Sequence, residues 1–254
     1  MTETSPRVGL FVTCLVDMMR PSIGFAAVKL LEDAGCTVDV PETQTCCGQP
    51  AYTSGDKRDA TILACNVIRA FRGFDYVVVP SGSCGGMIIK HYPELFEEGS
   101  ADHQAAVNLS NRTYELVSFL TRVMKVERVD TAFPAKATYH DSCSGLRELG
   151  IKTEPRMLLA SVEGVSLHEM TDSEVCCGFG GTFCVKYPDI SDKMLEKKLK
   201  HIHATGADTL IAGDLGCLMN MAGKLKREGS PVKVRHIAEV LAGDTATSSI
   251  GEAE

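Results

Sequence analysis

One spaced set of cysteines occurs twice in this chain of 254 residues. Each set has a lone cysteine, a Cys-Cys-Gly triplet and a further lone cysteine. The second set follows the first by about 130 residues, as expected of an internal repeat. The sequence therefore predicts two copies of one structural unit, with eight cysteines at equivalent positions: Cys14, Cys46, Cys47 and Cys84, and then Cys143, Cys176, Cys177 and Cys217.

Short β-branched runs alternate with helix-like segments in both halves, which is the pattern of α/β proteins with parallel sheets. We therefore expect two tandem Rossmann-like α/β units with parallel sheets, related by internal duplication. The predicted strands are 8–12, 37–40, 76–79, 137–139, 166–169 and 209–212. The predicted helices are 22–34, 57–71, 154–162, 189–205 and 217–228.

The domain boundaries follow from the repeat. Residues 1–130 are expected to form the first cysteine-rich unit, and residues 131–243 the second. The leucine spacing in 102–125 predicts a helix that bridges the two halves. Small and polar residues dominate 244–254, so we expect a disordered tail there.

The lone cysteines of each set stand just beyond the carboxyl ends of predicted strands, and each Cys-Cys pair follows a strand by a few residues. Open α/β sheets bind ligands at that edge. Four thiols are therefore expected to converge in each unit. Thiolates select zinc, copper(I) or iron–sulfur clusters.

The spacing favours a cluster over zinc. Structural zinc sites use ligand pairs two to four residues apart, whereas each site here has two adjacent cysteines and two distant ones. Adjacent side chains on an extended backbone point apart, which suits a multi-iron core. The following glycine would let the backbone turn close to inorganic sulfide. Cys36 and Cys65 are interpreted as small core residues, and Cys184 is left unassigned.

The formal charge of −7 argues against a nucleic-acid partner. The first seven residues lack the features of a signal peptide, and the longest apolar runs are too short to span a bilayer, so a cytoplasmic protein is expected. The sequence has no Cys-x-x-Cys redox motif, and no Gly-x-Gly-x-x-Gly to indicate a nicotinamide or flavin site.

The repeated Cys-Cys-Gly motif, with Ser81-Gly-Ser-Cys84, Cys-Cys-Gly-Phe-Gly-Gly-Thr-Phe from Cys176 and Gly213-Asp-Leu-Gly-Cys217-Leu-Met-Asn, resembles the CCG (cysteine-rich) domain family. That family includes a component of heterodisulfide reductase and the iron–sulfur component of glycolate oxidase, and the chain is similar to its LutA/LldE/YkgE group. The resemblance implies two 4Fe-4S clusters held by the eight repeated cysteines. It also implies a nicotinamide-independent role in L-lactate oxidation, as an oxidoreductase complex subunit with iron–sulfur partners, through which it could associate peripherally with a membrane.

The family's fuller pattern ends in Cys-x-x-Cys, giving five cysteines per site. Here Ser81 and Met87 flank Cys84 at three residues' distance, and Asp214 and Asn220 flank Cys217. These residues favour a four-cysteine cluster, or one with Asp214 or an exchangeable ligand, over a five-thiolate one.

Three functional hypotheses remain open. The first is an electron-transfer subunit of an L-lactate-oxidising complex. The second is an enzyme like heterodisulfide reductase, which binds a thiol or hydroxy acid at an open cluster iron. The third is a structural zinc protein. No catalytic side chain is assigned in any of them.

Polar residues beside the second set could support a cluster. His140, Asp141 and Ser142 precede Cys143, and Arg147 follows it. Together with Asp214, the residues Asp141 and Arg147 are predicted to surround the ligands and donate or orient hydrogen bonds. The alternative is that residues 140–142 satisfy backbone groups at a strand end.

Overall fold

The computed structural model describes residues 5–252 and contains two compact units, which divide between Val126 and Glu127. The first unit is built on a four-stranded sheet in the order β2-β1-β3-β4, with every neighbouring pair parallel. Its strands are β1 (Arg7–Leu10), β2 (Thr37–Asp39), β3 (Tyr76–Val79) and β4 (Thr113–Glu115).

The second unit repeats this sheet. Its strand order is β6-β5-β7-β8, again with all neighbours parallel. The strands are β5 (Ala132–Tyr139), β6 (Glu163–Leu167), β7 (Thr209–Ala212) and β8 (Lys233–His236). In the first sheet the chain runs from β1 outward to β2 and then crosses back to form β3 on the other side of β1. The second sheet follows the same path with β5, β6 and β7. This reversal opens a crevice at the carboxyl edge of the two central strands.

Helices connect the strands. In the first unit they are α1 (Cys14–Met19), α2 (Pro21–Asp33), α3 (Gln49–Thr53), α4 (Lys57–Ala70), α5 (Gly82–Gly86), α6 (Ala101–Asn111) and α7 (Leu116–Ser118). In the second unit they are α8 (Thr153–Ser161), α9 (Phe183–Lys186), α10 (Pro188–Ala204), α11 (Leu215–Arg227) and α12 (Ile237–Leu241). π-helical turns occupy Met87–His91, Phe119–Val123 and Ser144–Glu148, and a 3₁₀ turn occupies Pro93–Leu95.

The central strands are buried on both faces. In β3 the three residues of 77–79 have no exposed surface, and all four residues of β7 are buried. Parallel strands covered by helices on both sides read as continuous apolar runs, which explains why these strands were recognisable from the sequence. The predicted fold class is confirmed.

One expectation about elements was wrong, and two strands were not predicted. The stretch 102–125 is not one helix, because β4 interrupts it and forms the edge of the first sheet. The strands β4 and β8 were also missed. Both are short, and β8 reads Lys-Val-Arg-His, although its Arg235 and His236 are buried.

The segment from 244 also differs from the expected disordered tail. The Ser249 hydroxyl accepts a hydrogen bond from the Val234 amide at 2.8 Å, and the Ile250 amide donates to the Val234 carbonyl at 3.0 Å. Ile250 is 8% exposed, so one apolar side chain and the edge of β8 hold this segment in place. The last two residues of the predicted tail lie outside the described part of the chain. Among residues 5–252, no helix is long and apolar enough to cross a membrane.

Candidate metal centres

The first group of thiols lies beyond the carboxyl edge of the first sheet. Cys14 follows β1 and is the first residue of α1, while Cys84 follows β3 and is the third residue of α5. Cys46 and Cys47 lie in the loop between β2 and α3. Because β1 and β3 are adjacent and parallel, their carboxyl ends bring residues 70 positions apart to one place.

The four thiols of this group lie near one another as a chain of neighbours. The Sγ atoms of Cys14 and Cys46 are 3.9 Å apart. The Cys46 thiol interacts in turn with that of Cys47, and Cys47 with Cys84. The structure thus brings together all four cysteines that the sequence placed in the first site.

The second group repeats this arrangement. Cys143 follows β5, and Cys217 is the third residue of α11 after β7. The Cys143 thiol interacts with that of Cys176, Cys176 with Cys177, and Cys177 with Cys217. All eleven cysteines of the chain are free thiols, so neither Cys-Cys pair is a disulfide.

Each group favours one thiolate at the first cysteine of its pair. A hydrogen bond from Cys14 lowers the pKa of Cys46, and one from Cys143 lowers the pKa of Cys176. The same bonds raise the pKa values of the donors Cys14 and Cys143. Cysteines in the first turn of a helix also face the positive end of its dipole, which stabilises thiolate charge.

The glycine of each triplet sets the path of the loop. Gly48 and Gly178 have φ values of +83° and +79°, in the left-handed region that a side chain disfavours. The amide of each donates to the first sulfur of its own pair, Cys46 or Cys176, at 3.4 Å. A Cβ on Gly178 would lie 2.9 Å from the Ser191 carbonyl oxygen. The glycines are therefore required for backbone conformation, and in the second unit for a close helix contact as well.

Two side chains that the sequence did not indicate hold the second cysteine of each pair. The buried Tyr92 hydroxyl donates to the Cys47 carbonyl at 2.9 Å. In the second unit the Asn220 amide donates to the Cys177 carbonyl at 3.0 Å. No sequence pattern indicates Tyr92. Asn220 was noted only because it stands three residues after Cys217, where the fuller family pattern could have a fifth cysteine.

The comparisons with known proteins match this geometry. The model of the family described as "CCG: Cysteine-rich domain" matches residues 8–89 and 137–222, one segment in each unit. The chain belongs to the CCG cysteine-rich domain family. Each matched segment runs from the first strand of its sheet past the last thiol of its group.

Curated relatives extend over nearly the whole chain. "Lactate utilization protein A 2" of Bacillus cereus (strain AH820) is 47% identical over 93% of this chain and 98% of its own length. "Lactate utilization protein A" of Halalkalibacterium halodurans is 49% identical over 92% of this chain and 96% of its own. The protein of the same name from Geobacillus thermodenitrificans is also 49% identical, over 92% of this chain and 98% of its own.

The three polar residues predicted around the second CCG site have different positions. Asp141 is buried and makes a bidentate pair with Arg156, with both distances 2.9 Å. Arg156 also binds Glu169, so Asp141 is engaged by an ion-pair network rather than by a thiol. Asp214 is buried as the N-cap residue of α11 and is one of the smaller causes of the raised pKa of Cys143, after the hydrogen bond with Cys176 and burial.

The Arg147 guanidinium donates to the Glu174 carbonyl at 3.5 Å. It therefore contacts the loop that leads into Cys176. The same loop is held by Lys198 of α10, which is fully buried and donates to the carbonyls of Asp172 and Ser173 at 3.2 and 2.7 Å.

The remaining cysteines lie outside the two groups. Cys36 is buried and Cys65 is half-buried. The Cys184 thiol donates to the Gly181 carbonyl at 3.4 Å and lines an open groove of about 490 Å³ with α10 and Asn220. Cys184 thus follows the second Cys-Cys-Gly loop in the chain and is not one of the second group of four thiols.

The residues present fit a thiolate-ligated metal group. Each unit offers four free thiols that lie near one another, and in each unit a hydrogen bond lowers the pKa of the first cysteine of the pair. In the second unit a fully buried histidine, His140, lies beside the thiols and has neither ring nitrogen in hydrogen-bond geometry with any residue of 5–252. Several thiols beside a buried imidazole that has no hydrogen-bond partner are typical of a metal site.

Proposed function

We propose that this chain is an iron–sulfur electron-transfer subunit of a complex that oxidises L-lactate to pyruvate. The observation that carries the proposal is the duplicated group of four neighbouring thiols at the carboxyl edge of each sheet. The names of the curated relatives, which cover both units, support the lactate assignment.

The ligands in this proposal are the eight repeated cysteines, four to each of two 4Fe-4S clusters. Such a cluster takes up and releases single electrons. The chain's own part is to hold the thiolates: the helix N-termini stabilise their charge, and the glycine amides donate to Cys46 and Cys176. Tyr92 and Asn220 fix the backbone of the paired cysteines, so that the ligand set is preorganised.

The partners in this proposal are further iron–sulfur subunits, which receive or deliver the electrons. A relay subunit needs no catalytic acid or base of its own. Such a complex would oxidise lactate elsewhere and use this chain for transfer.

Metal analysis after anaerobic purification tests the cluster. We expect about eight iron and eight acid-labile sulfide per chain, the content of two 4Fe-4S clusters. Zinc in place of iron, without sulfide, would overturn the proposal in favour of a structural scaffold.

Adding L-lactate tests the relay. We expect the cluster spectrum of the isolated chain to stay unchanged on addition of L-lactate, and to show reduction only when the partner subunits are present. A change in the isolated chain would instead favour direct substrate binding at an open iron, as in an enzyme like heterodisulfide reductase.

A further inference from the structure

The two units differ at one buried position beside the thiols. Phe11 stands three residues before Cys14, and His140 stands three residues before Cys143. The backbones match, because the Phe11 amide donates to Val78 on β3 at 2.8 Å and the His140 amide donates to Ile211 on β7 at 2.9 Å. Both side chains are 0% exposed. The second unit therefore places an imidazole where the first places a phenyl ring.

The His140 ring lies beside two thiols of the second group. A ring nitrogen of His140 and the sulfur atoms of Cys177 and Cys217 lie within 4.8 Å of one another. Neither ring nitrogen has a hydrogen-bond partner among residues 5–252, although nearly all buried polar groups in proteins have one.

The charged neighbours of His140 are engaged elsewhere. Asp141 is paired with Arg156, and Lys198 donates to the carbonyls of Asp172 and Ser173. The Ser173 carbonyl interacts with the His140 ring without reaching hydrogen-bond geometry. A ligating histidine commonly directs its second nitrogen to such a carbonyl, so this surrounding suits a ring whose other nitrogen faces a metal.

We infer that His140 supplies a nitrogen ligand to the iron–sulfur group of the second unit, whereas Phe11, at the matching position of the first unit, has no side-chain donor. The inference rests on the proposed function and deepens it. The fifth donor that the cysteine pattern lacks in the second unit is then an imidazole. A neutral imidazole where a cluster could have a thiolate raises its reduction potential, so the second site is expected to have a higher potential with histidine at position 140 than with cysteine there.

The test uses the full chain with the pair Cys46→Ser/Cys47→Ser, so that only the second site contributes. Pulsed electron paramagnetic resonance of the reduced protein is expected to detect a strong ¹⁴N coupling. His140→Cys is expected to abolish that coupling, to retain iron and sulfide, and to shift the reduction potential to a more negative value. His140→Phe, which copies the first unit, is expected to abolish the coupling and lower iron retention. His203→Phe, at an exposed histidine of α10, is the matched control and should leave the coupling in place.

The outcomes separate the two proposals. Iron and sulfide with only a weak ¹⁴N coupling, or a strong coupling that persists in His140→Cys, would overturn the ligand assignment and leave the cluster in place. A chain that holds neither iron nor sulfide in any form would overturn both. Because the first measurement is made with His140 present, the result does not depend on whether a His140 variant folds.

Discussion

The glycines that close the two Cys-Cys pairs have the same backbone conformation and different neighbours. A Cβ on Gly48 would meet its nearest atom at an ordinary 3.4 Å, whereas one on Gly178 would lie 2.9 Å from the Ser191 carbonyl. The repeat thus preserves the turn and changes how tightly α10 packs on it.

This difference predicts unequal effects of alanine. A left-handed backbone costs an alanine about 1–2 kcal/mol at either position. At Gly178 the close contact adds about 1–3 kcal/mol of overpacking. Gly178→Ala is therefore expected to lower the thermal midpoint and the iron content of the protein more than Gly48→Ala does. Equal losses in the two variants would mean that the contact with Ser191 relaxes freely.

Tyr92 permits a second prediction at this scale. Tyr92→Phe keeps the buried ring and leaves the Cys47 carbonyl without its donor, at a cost of about 1–3 kcal/mol. We expect a lower thermal midpoint and faster loss of iron from the first site to a chelator. Tyr187→Phe serves as the control because that side chain is 54% exposed. Unchanged iron release in Tyr92→Phe would show that the hydrogen bond does not hold the loop.

At the scale of elements, helix α10 carries a buried lysine, Lys198, that contacts the loop of the second site. Lys198 on this helix holds the loop before Cys176 through two carbonyls, and burial lowers its pKa to about 8. A lysine that loses its proton more easily when folded makes the protein more stable as the pH rises from that value toward the pKa of the unfolded chain.

Lys198→Met is expected to remove this pH dependence. Between about pH 8 and pH 10 the thermal midpoint of the parent protein should rise relative to that of Lys198→Met, because the unfolded chain keeps its lysine proton over this range. Loss of the two hydrogen bonds should also speed iron release from the second site. Lys197→Met, one residue away and exposed, is the control. Parallel pH profiles for parent and Lys198→Met would contradict the argument.

The sequence allowed some elements to be predicted and not others. The strands β1, β3 and β7 are apolar and centrally placed, so composition alone identified them, and the positions of the cysteines at their ends followed. The strands β4 and β8 were missed because three or four residues with polar members carry no periodic signal. Tyr92 and Asn220 were missed because each holds a carbonyl more than 40 positions away, a contact that only the fold creates.

For the whole molecule, each group of thiols lies within one of the two compact units. Removal of one group should therefore leave the other intact. The pair Cys46→Ser/Cys47→Ser is expected to halve the iron and sulfide content, and Cys176→Ser/Cys177→Ser to do the same. Cys36→Ser/Cys65→Ser, at two cysteines outside both groups, is the comparison and should keep the full content. Complete loss of iron from either paired variant would show that the two sites assemble together.

The 3.9 Å separation of the Cys14 and Cys46 sulfur atoms also determines which thiols of the metal-free chain oxidise first in air. Two thiols this close need only a small movement to form a disulfide, and the hydrogen bond from Cys14 lowers the pKa of Cys46. Exposure of the metal-free protein to oxygen is expected to remove these two thiols first from the count given by a thiol reagent, and to prevent refilling of the first site until a reductant is added. For this protein the order of events during maturation is then decisive, because the metal must arrive before the oxidant.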